Sequence, residues 1–419
     1  MSASAPPKND PKTLVGWCLY DFANSIYVAV IPATIWSVYF AKQIVGNEGG
    51  LGDLWWGRVV STTMLFVAAT SPIMGALADT VGIRKVLLLL YTLLCVVCTC
   101  LLATVSPGMV MWGFAISVLA NVGLEGSMVF YNAYLPEIAS QDHLGRVSGW
   151  GFATGYAGSL LGLVMALPLV ERLRFDALWV LTGVGFFLFA LPAFAWLPKD
   201  APASLTPLEA ARKGLRETWH TLKDILTRPA LRRFMLAYFI YEDGVNTVIF
   251  FSSIFAATTL GFPFERLILL YAVVQVSALL GALAWAKPTD RLGPKFVVMA
   301  MLVQWSLVVA AVSQVQTQAQ FFILAVAAGS GLGAIQAASR AFMSTLIPEG
   351  REGEFFGFYT LCGKSASVLG PLVFGGVSHA TGGDQRLAAL SVLAFYVVGA
   401  VILWPVKAGG PTIGRASAA

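Results

Sequence analysis

Charge is scarce in this sequence. Only 12% of its 419 residues are Asp, Glu, Lys or Arg, against about 25% in soluble domains. A chain this long with so little charge cannot clothe a large water-facing globule. Histidine is nearly missing as well: His143, His220 and His379 all fall near predicted loops, so no histidine-based metal site is expected. No Walker loop is present, so nothing points to ATP drive, and no Ser, His and Asp grouping reads as a hydrolase centre. Three of the five cysteines, Cys95, Cys98 and Cys100, share one apolar run. There the C-x-x-C spacing reads as small apolar packing rather than a metal or redox site. "GSGLGA" at 329–334 mimics a dinucleotide loop but follows no strand, and it reads as close helix packing. No cofactor, no metal and no enzymatic activity are expected.

What the sequence has in abundance is apolar length. Hydrophobic residues make up 57% of it, and its mean hydropathy is +0.75. A dozen runs are long enough to cross a hydrocarbon core of about 30 Å as helices. They are expected at 14–41, 54–78, 85–105, 108–134, 147–170, 176–197, 231–260, 265–286, 295–315, 319–346, 354–379 and 386–405. The fold class is therefore an all-α membrane protein of twelve transmembrane helices. "MSASAPPKNDPK" lacks the apolar core of a cleavable signal. Most Lys and Arg fall in one alternate set of loops, including Arg84, Lys85, Lys287, Arg291, Lys295 and the basic stretch 199–233. By the positive-inside rule this predicts cytoplasmic termini and a plasma (inner) membrane location. The formal net charge of +5 then reflects membrane topology rather than nucleic-acid binding.

The sequence is also duplicated. "LYDFANSIYVAV" and "IYEDGVNTVIFF" place Asp21, Asn24 and Ser25 against Asp243, Asn246 and Thr247 at a constant offset of 222 residues, with Glu242 added in the second copy. "ADTVGIRK" recurs as "TDRLGPK", "LPEI" as "IPEG", and Gly149, Gly155, Ser159 and Gly162 as Gly357, Gly363, Ser367 and Gly370. Four matched places in the same order imply two pseudo-symmetric six-helix halves, 1–197 and 231–405, followed by a tail at 406–419. Such parallel repeats build alternating-access transporters with a site near the midplane. The linker 198–230 carries Leu208, Leu215, Trp219, Leu222 and Leu226 as one stripe on a basic helix. That pattern suits a helix lying on the inner headgroup layer.

The paired "DTVGIRK" and "DRLGPK" loops resemble the major facilitator superfamily. "WCLYDFANS", "AYFIYEDGVNT", "SRAFMSTLIPEG" and "GEFFGFYTLCGKSASVLGP" resemble its Atg22-like, or UMF1, branch. The resemblance implies the major facilitator fold and a transporter, with fungal relatives associated with amino-acid export from the vacuole. Thr80 stands where the superfamily pattern has a basic residue.

An Asp, Lys or Arg at a helix centre costs about 2.5–3.5 kcal/mol on insertion scales, so such groups must face a cavity or pair. The candidates are Asp21, Glu125, Glu242, Asp243, Arg340 and Lys364, with Asn24, Ser25, Asn121, Asn246, Thr247, Gln336 and Tyr359 beside them. Glu125 alone in its span implies a basic partner or a proton-carrying role. Lys364 is expected to pair with Asp21 or Asp243, and Glu242 with Arg232 or Arg233. Four acids against two bases favour proton coupling. A zwitterionic amino acid would fit between a base and an acid; organic cations, metabolites and drugs, or a non-transporting receptor, remain open. Asp79, Arg84, Asp290 and Arg291 are expected to form an inner gate. The expected partners are a small-molecule substrate, protons and membrane lipid, with no nucleic acid, around a monomer.

Overall fold

A computed structural model describes residues 8–140, 143–200, 206–347 and 352–406, without the side chains of 79–80, 144–146, 207 and 352–354. Among the described residues there are fifteen α-helices and no strand. The first half holds α1 (Pro11–Val30), α2 (Ile35–Tyr39), α3 (Leu51–Val81), α4 (Arg84–Leu101), α5 (Val110–Ile138), α6 (Leu144–Glu171) and α7 (Phe175–Trp196). The second holds α9 (Pro229–Thr259), α10 (Phe264–Leu292), α11 (Pro294–Val312), α12 (Gln318–Ser344), α13 (Glu352–Ser365), α14 (Leu369–Ala380) and α15 (Gln385–Leu403). Between them runs α8 (Pro207–Thr227). Among the described residues twelve segments are long and apolar enough to cross a membrane, so the start of α1, the end of α15 and α8 share one face, termed here the terminal face.

The halves pack mainly within themselves, α1 against α6 and α7 in the first and α10 against α12 in the second. Aromatic stacks fill their cores, such as Trp17 on Tyr131 at 4.6 Å and Tyr238 on Tyr359 at 4.3 Å. Within "GSGLGA", Gly333 lies so close to the Ala278 carbonyl of α10 that any β-carbon would collide with it.

Two expected spans, 14–41 and 354–379, are not continuous helices. The first breaks at Ile31–Thr34, where Pro32 can donate no backbone hydrogen bond, and resumes as α2 and a π-helical segment Phe40–Val45. The second breaks between α13 and α14, at residues 366–368. Backbone freed inside a membrane must find partners within the protein. The Ala33 carbonyl accepts from Ser253 Oγ of α9 at 2.6 Å, and the Val368 carbonyl accepts from Ser61 Oγ of α3 at 2.7 Å. Each break is thus sealed by the opposite half.

Both seals lie toward the far face, where the halves meet closely. Lys42 donates to the Ala257 carbonyl at 3.0 Å, and Trp56 Nε1 to the Phe250 carbonyl at 3.3 Å. Asp53 is fully buried and accepts from Ser378 Oγ at 2.5 Å, Gln385 Nε2 at 2.8 Å and Asn47 Nδ2 at 3.1 Å. On the other side of the midplane, toward the terminal face, Asn132, Gln336 and Arg340 remain exposed. The molecule is closed at the far face.

Candidate polar site between the halves

Glu125 sits in the middle of α5, about 20 Å from either end at 1.5 Å per residue. Lys364 occupies the last turn of α13, where the unpaired carbonyls of a helix C-terminus favour a cation. Lys364 Nζ donates to Glu125 Oε2 at 2.6 Å, joining the two halves near mid-membrane. Their side chains keep 33% and 16% exposure, so the pair borders accessible space rather than sealed core. The expected partners of Lys364, Asp21 and Asp243, are not its partners. The helix break turns the end of α13 toward α5 instead.

Asp243 serves the other side of that break. Its carboxylate is fully buried and accepts from the Leu369 N–H at 3.1 Å and the Gly370 N–H at 2.9 Å, the first amides of α14. Thr247 Oγ1 donates to the Asp243 carbonyl at 2.6 Å, and Asn246 Nδ2 to the Ala366 carbonyl at 3.5 Å. The second Asp–Asn–Thr motif therefore holds the broken helix together. A carboxylate at a helix N-terminus meets both the dipole and free donors.

The first motif has no break to hold, because α6 runs unbroken beside it. Among the described residues Asp21 accepts only from Asn24 Nδ2, at 3.2 Å, and it lies against Gly151 and Gly155. Asn24 Nδ2 also donates to the Tyr20 carbonyl, and the Ser25 carbonyl accepts from Ser159 Oγ. Asn121 is committed to the first-half core: it accepts from Tyr27 Oη at 3.1 Å and donates to the Ser117 carbonyl.

Glu242 is buried at 7% exposure. Among the described residues it has no ion pair with Arg232 or Arg233, contrary to expectation; Arg232 donates to the Leu226 carbonyl instead. Glu242 lies within electrostatic reach of Tyr238, Tyr241, Tyr359, Tyr396 and Cys362. Its position on α9 turns it into the second-half core, away from the terminal end where those arginines lie. Gln336 and Arg340 are exposed one turn apart on α12, and Arg340 is within electrostatic reach of Tyr359.

Among the described residues, Asp290 and Arg291 form no ion pair across the expected inner gate. Arg84 pairs with Glu137 at 2.7 Å and lies over the Tyr134 ring, all within the first half. Asp290 and Arg291 are exposed, and the side chain of Asp79 lies outside the described residues, as does the tail from 407 onward. Sequence reasoning missed Asp53, which was placed in a loop just before the second span; the two tryptophans following it, "DLWW", were the available signal that it enters the packed core.

The family described as "Vacuole effluxer Atg22 like" matches residues 58–409. The chain belongs to this Atg22-like family. It is 27% identical over 400 residues to the MFS-type transporter YxiO of Bacillus subtilis, covering 92% of this chain and 93% of that protein. It is 25% identical over 406 residues to Autophagy-related protein 22 of Vanderwaltozyma polyspora, covering 86% and 75%. Among solved structures, the nucleoside transporter NupG superposes with a TM-score of 0.72 at 15% identity, covering 94% of this chain and 98% of that one. The D-xylose-proton symporter gives 0.67 at 15% identity, covering 96% and 98%. At such identities the likeness establishes the major facilitator fold alone. The Atg22-like chain is a multi-pass membrane transporter of the MFS type, not an enzyme.

Proposed function

We propose that this transporter moves a small polar solute, amino acids in particular, by proton-coupled alternating access. It works as a monomer in the plasma (inner) membrane with both termini cytoplasmic. The observation that carries this reading is the Glu125–Lys364 pair, a partly exposed acid and base from opposite halves at mid-membrane. An amino acid presents the same two charges. Its carboxylate would take Lys364 and its ammonium Glu125, replacing one ion pair by two. Gln336 and Arg340 supply further polar lining from α12, with Tyr359 buried in the aromatic stack behind them, and the halves rock apart at the far face once solute bridges them. Asp21 and Glu242, which have no cationic partner among the described residues, are the groups assigned to proton coupling; Asp243 is assigned to the helix break. The gate set Asp79, Arg84, Asp290 and Arg291 would assemble only when the terminal face closes.

The two unpaired acids also favour a second reading, an organic cation as the solute. Uptake of labelled amino acids into proteoliposomes, with and without an imposed pH gradient, separates the two. Gradient-stimulated uptake that is lost in Glu125→Gln and Lys364→Gln supports the first reading. No amino-acid uptake by well-folded protein, with cation uptake that survives Lys364→Gln, supports the second.

A further inference from the structure

The linker helix α8 has three faces. One is buried against the transporter: Ala210, Gly214, Thr221 and Ile225. Gly214 meets the Pro72 carbonyl and Ala76 of α3 so closely that a larger residue would not fit. α8 also packs on α9 and α13, so it rests on both halves at once. Pro72 and Ala76 lie nine and five residues before the end of α3 at Val81, which places α8 about 7–14 Å inside the tip of that helix. A 31-residue helix is longer than a hydrocarbon core of about 30 Å is thick, so this depth corresponds to the membrane surface.

The second face is apolar and uncovered. Leu208, Leu215, Trp219 and Leu226 are 63%, 49%, 58% and 46% exposed. At 100° per residue they fall within an arc of about 40°. Leu222, expected in the same stripe, turns partly into the protein. Next to the stripe, about 40–80° around the helix, stand Arg212, Arg216 and Lys223, all exposed. Lys223 lies over the Trp219 ring at 5.4 Å. None of these three has an acidic partner among the described residues, whereas Lys213 and Arg228 are taken by Glu217 and Asp224. The third face, with Glu209, Lys213, Glu217 and Asp224, has mixed charge and suits water.

We infer that α8 is a seat for anionic phospholipid: the Leu–Trp stripe enters the acyl boundary while Arg212, Arg216 and Lys223 hold headgroup phosphates. Charge decides the occupant. Three cations without an acidic partner among the described residues, beside an apolar stripe at surface depth, match a negatively charged leaflet. Because α8 rests on both halves, the lipid also loads the hinge between them.

The test is amide hydrogen exchange over α8 in the full chain, in nanodiscs of phosphatidylcholine alone or with phosphatidylglycerol. Exchange is expected to slow about tenfold or more with phosphatidylglycerol, and the triple variant Arg212→Gln, Arg216→Gln, Lys223→Gln should lose that slowing. These substitutions leave the buried face intact, which an unchanged melting temperature in detergent would verify. Equal exchange in both discs, or slowing that survives in the triple variant, overturns the assignment. Protection in lipid-free detergent that rises with protein concentration would instead place a second copy of the chain on the stripe, and also overturns it.

Discussion

The two copies of the Asp–x–x–Asn–Ser/Thr motif share residues but not work. Asp243 grips two amides of a broken helix and is fully buried. Asp21 faces an unbroken helix, has among the described residues one hydrogen bond, to its own neighbour, and keeps partial exposure. The equivalent partners have also slid: Asp21 lies against Gly155, whereas Asp243 lies against Gly370, the counterpart of Gly162 rather than of Gly155. Duplication supplied the same side chains twice. One helix break in the second half then gave one copy a structural task that the other copy does not share.

The largest expected effect comes from filling the space beneath the break. Gly370→Ala would drive a β-carbon into Thr247 Oγ1 and to 2.7 Å from Asp243 Oδ1. A loss of about 3 kcal/mol or more is expected, at the upper end for overpacking, read as a lowered melting temperature in detergent. The counterpart Gly162→Ala meets Ile26 at 3.1 Å and should cost about 1 kcal/mol. Equal losses would erase the distinction between the halves.

Removing the carboxylates comes next. Asp243→Ala leaves two buried amides without partners and should cost about 3 kcal/mol, while Asp21→Ala should cost about 1 kcal/mol or less. Thermal unfolding of the two variants side by side checks this, and a reversed order would show that the first copy is the structural one. Lys364→Gln sharpens the functional side. Stripping the partner from a largely desolvated charge costs about 2 kcal/mol at the lower end, or roughly a 30-fold drop in uptake rate over solute concentration. The melting temperature should fall less than in Asp243→Ala. Smallest is Ser61→Ala, which frees the Val368 carbonyl and should cost about 1 kcal/mol; it tests whether the opposite half supports the break.

Much of the fold was legible in the residues themselves. Twelve apolar runs, the repeat offsets and the motif-bearing loops led directly to a two-half transporter, because lipid demands long apolar helices and duplication leaves matching spacings. The candidate site was legible only as an inventory. Glu125 and Lys364 stood out because ions in hydrocarbon are costly, yet their pairing across 239 residues had no local signal. The choice of Asp21 or Asp243 for Lys364 followed from motif prominence and missed how the end of α13 turns. Asp53 escaped notice because a single acid at a predicted span edge reads as surface, and only packing against Ser378 and Gln385 buries it.

The sequence by itself determined the solvent of this protein, its helix number and its twofold repeat, since each follows from composition and periodicity along the chain. The tertiary structure decided which acid meets which base, which motif copy holds the backbone and which face is shut. Those choices depend on where two helices break. A break forms only where groups from distant parts of the chain, Asp243, Ser61 and Ser253, arrive to satisfy the freed amides and carbonyls.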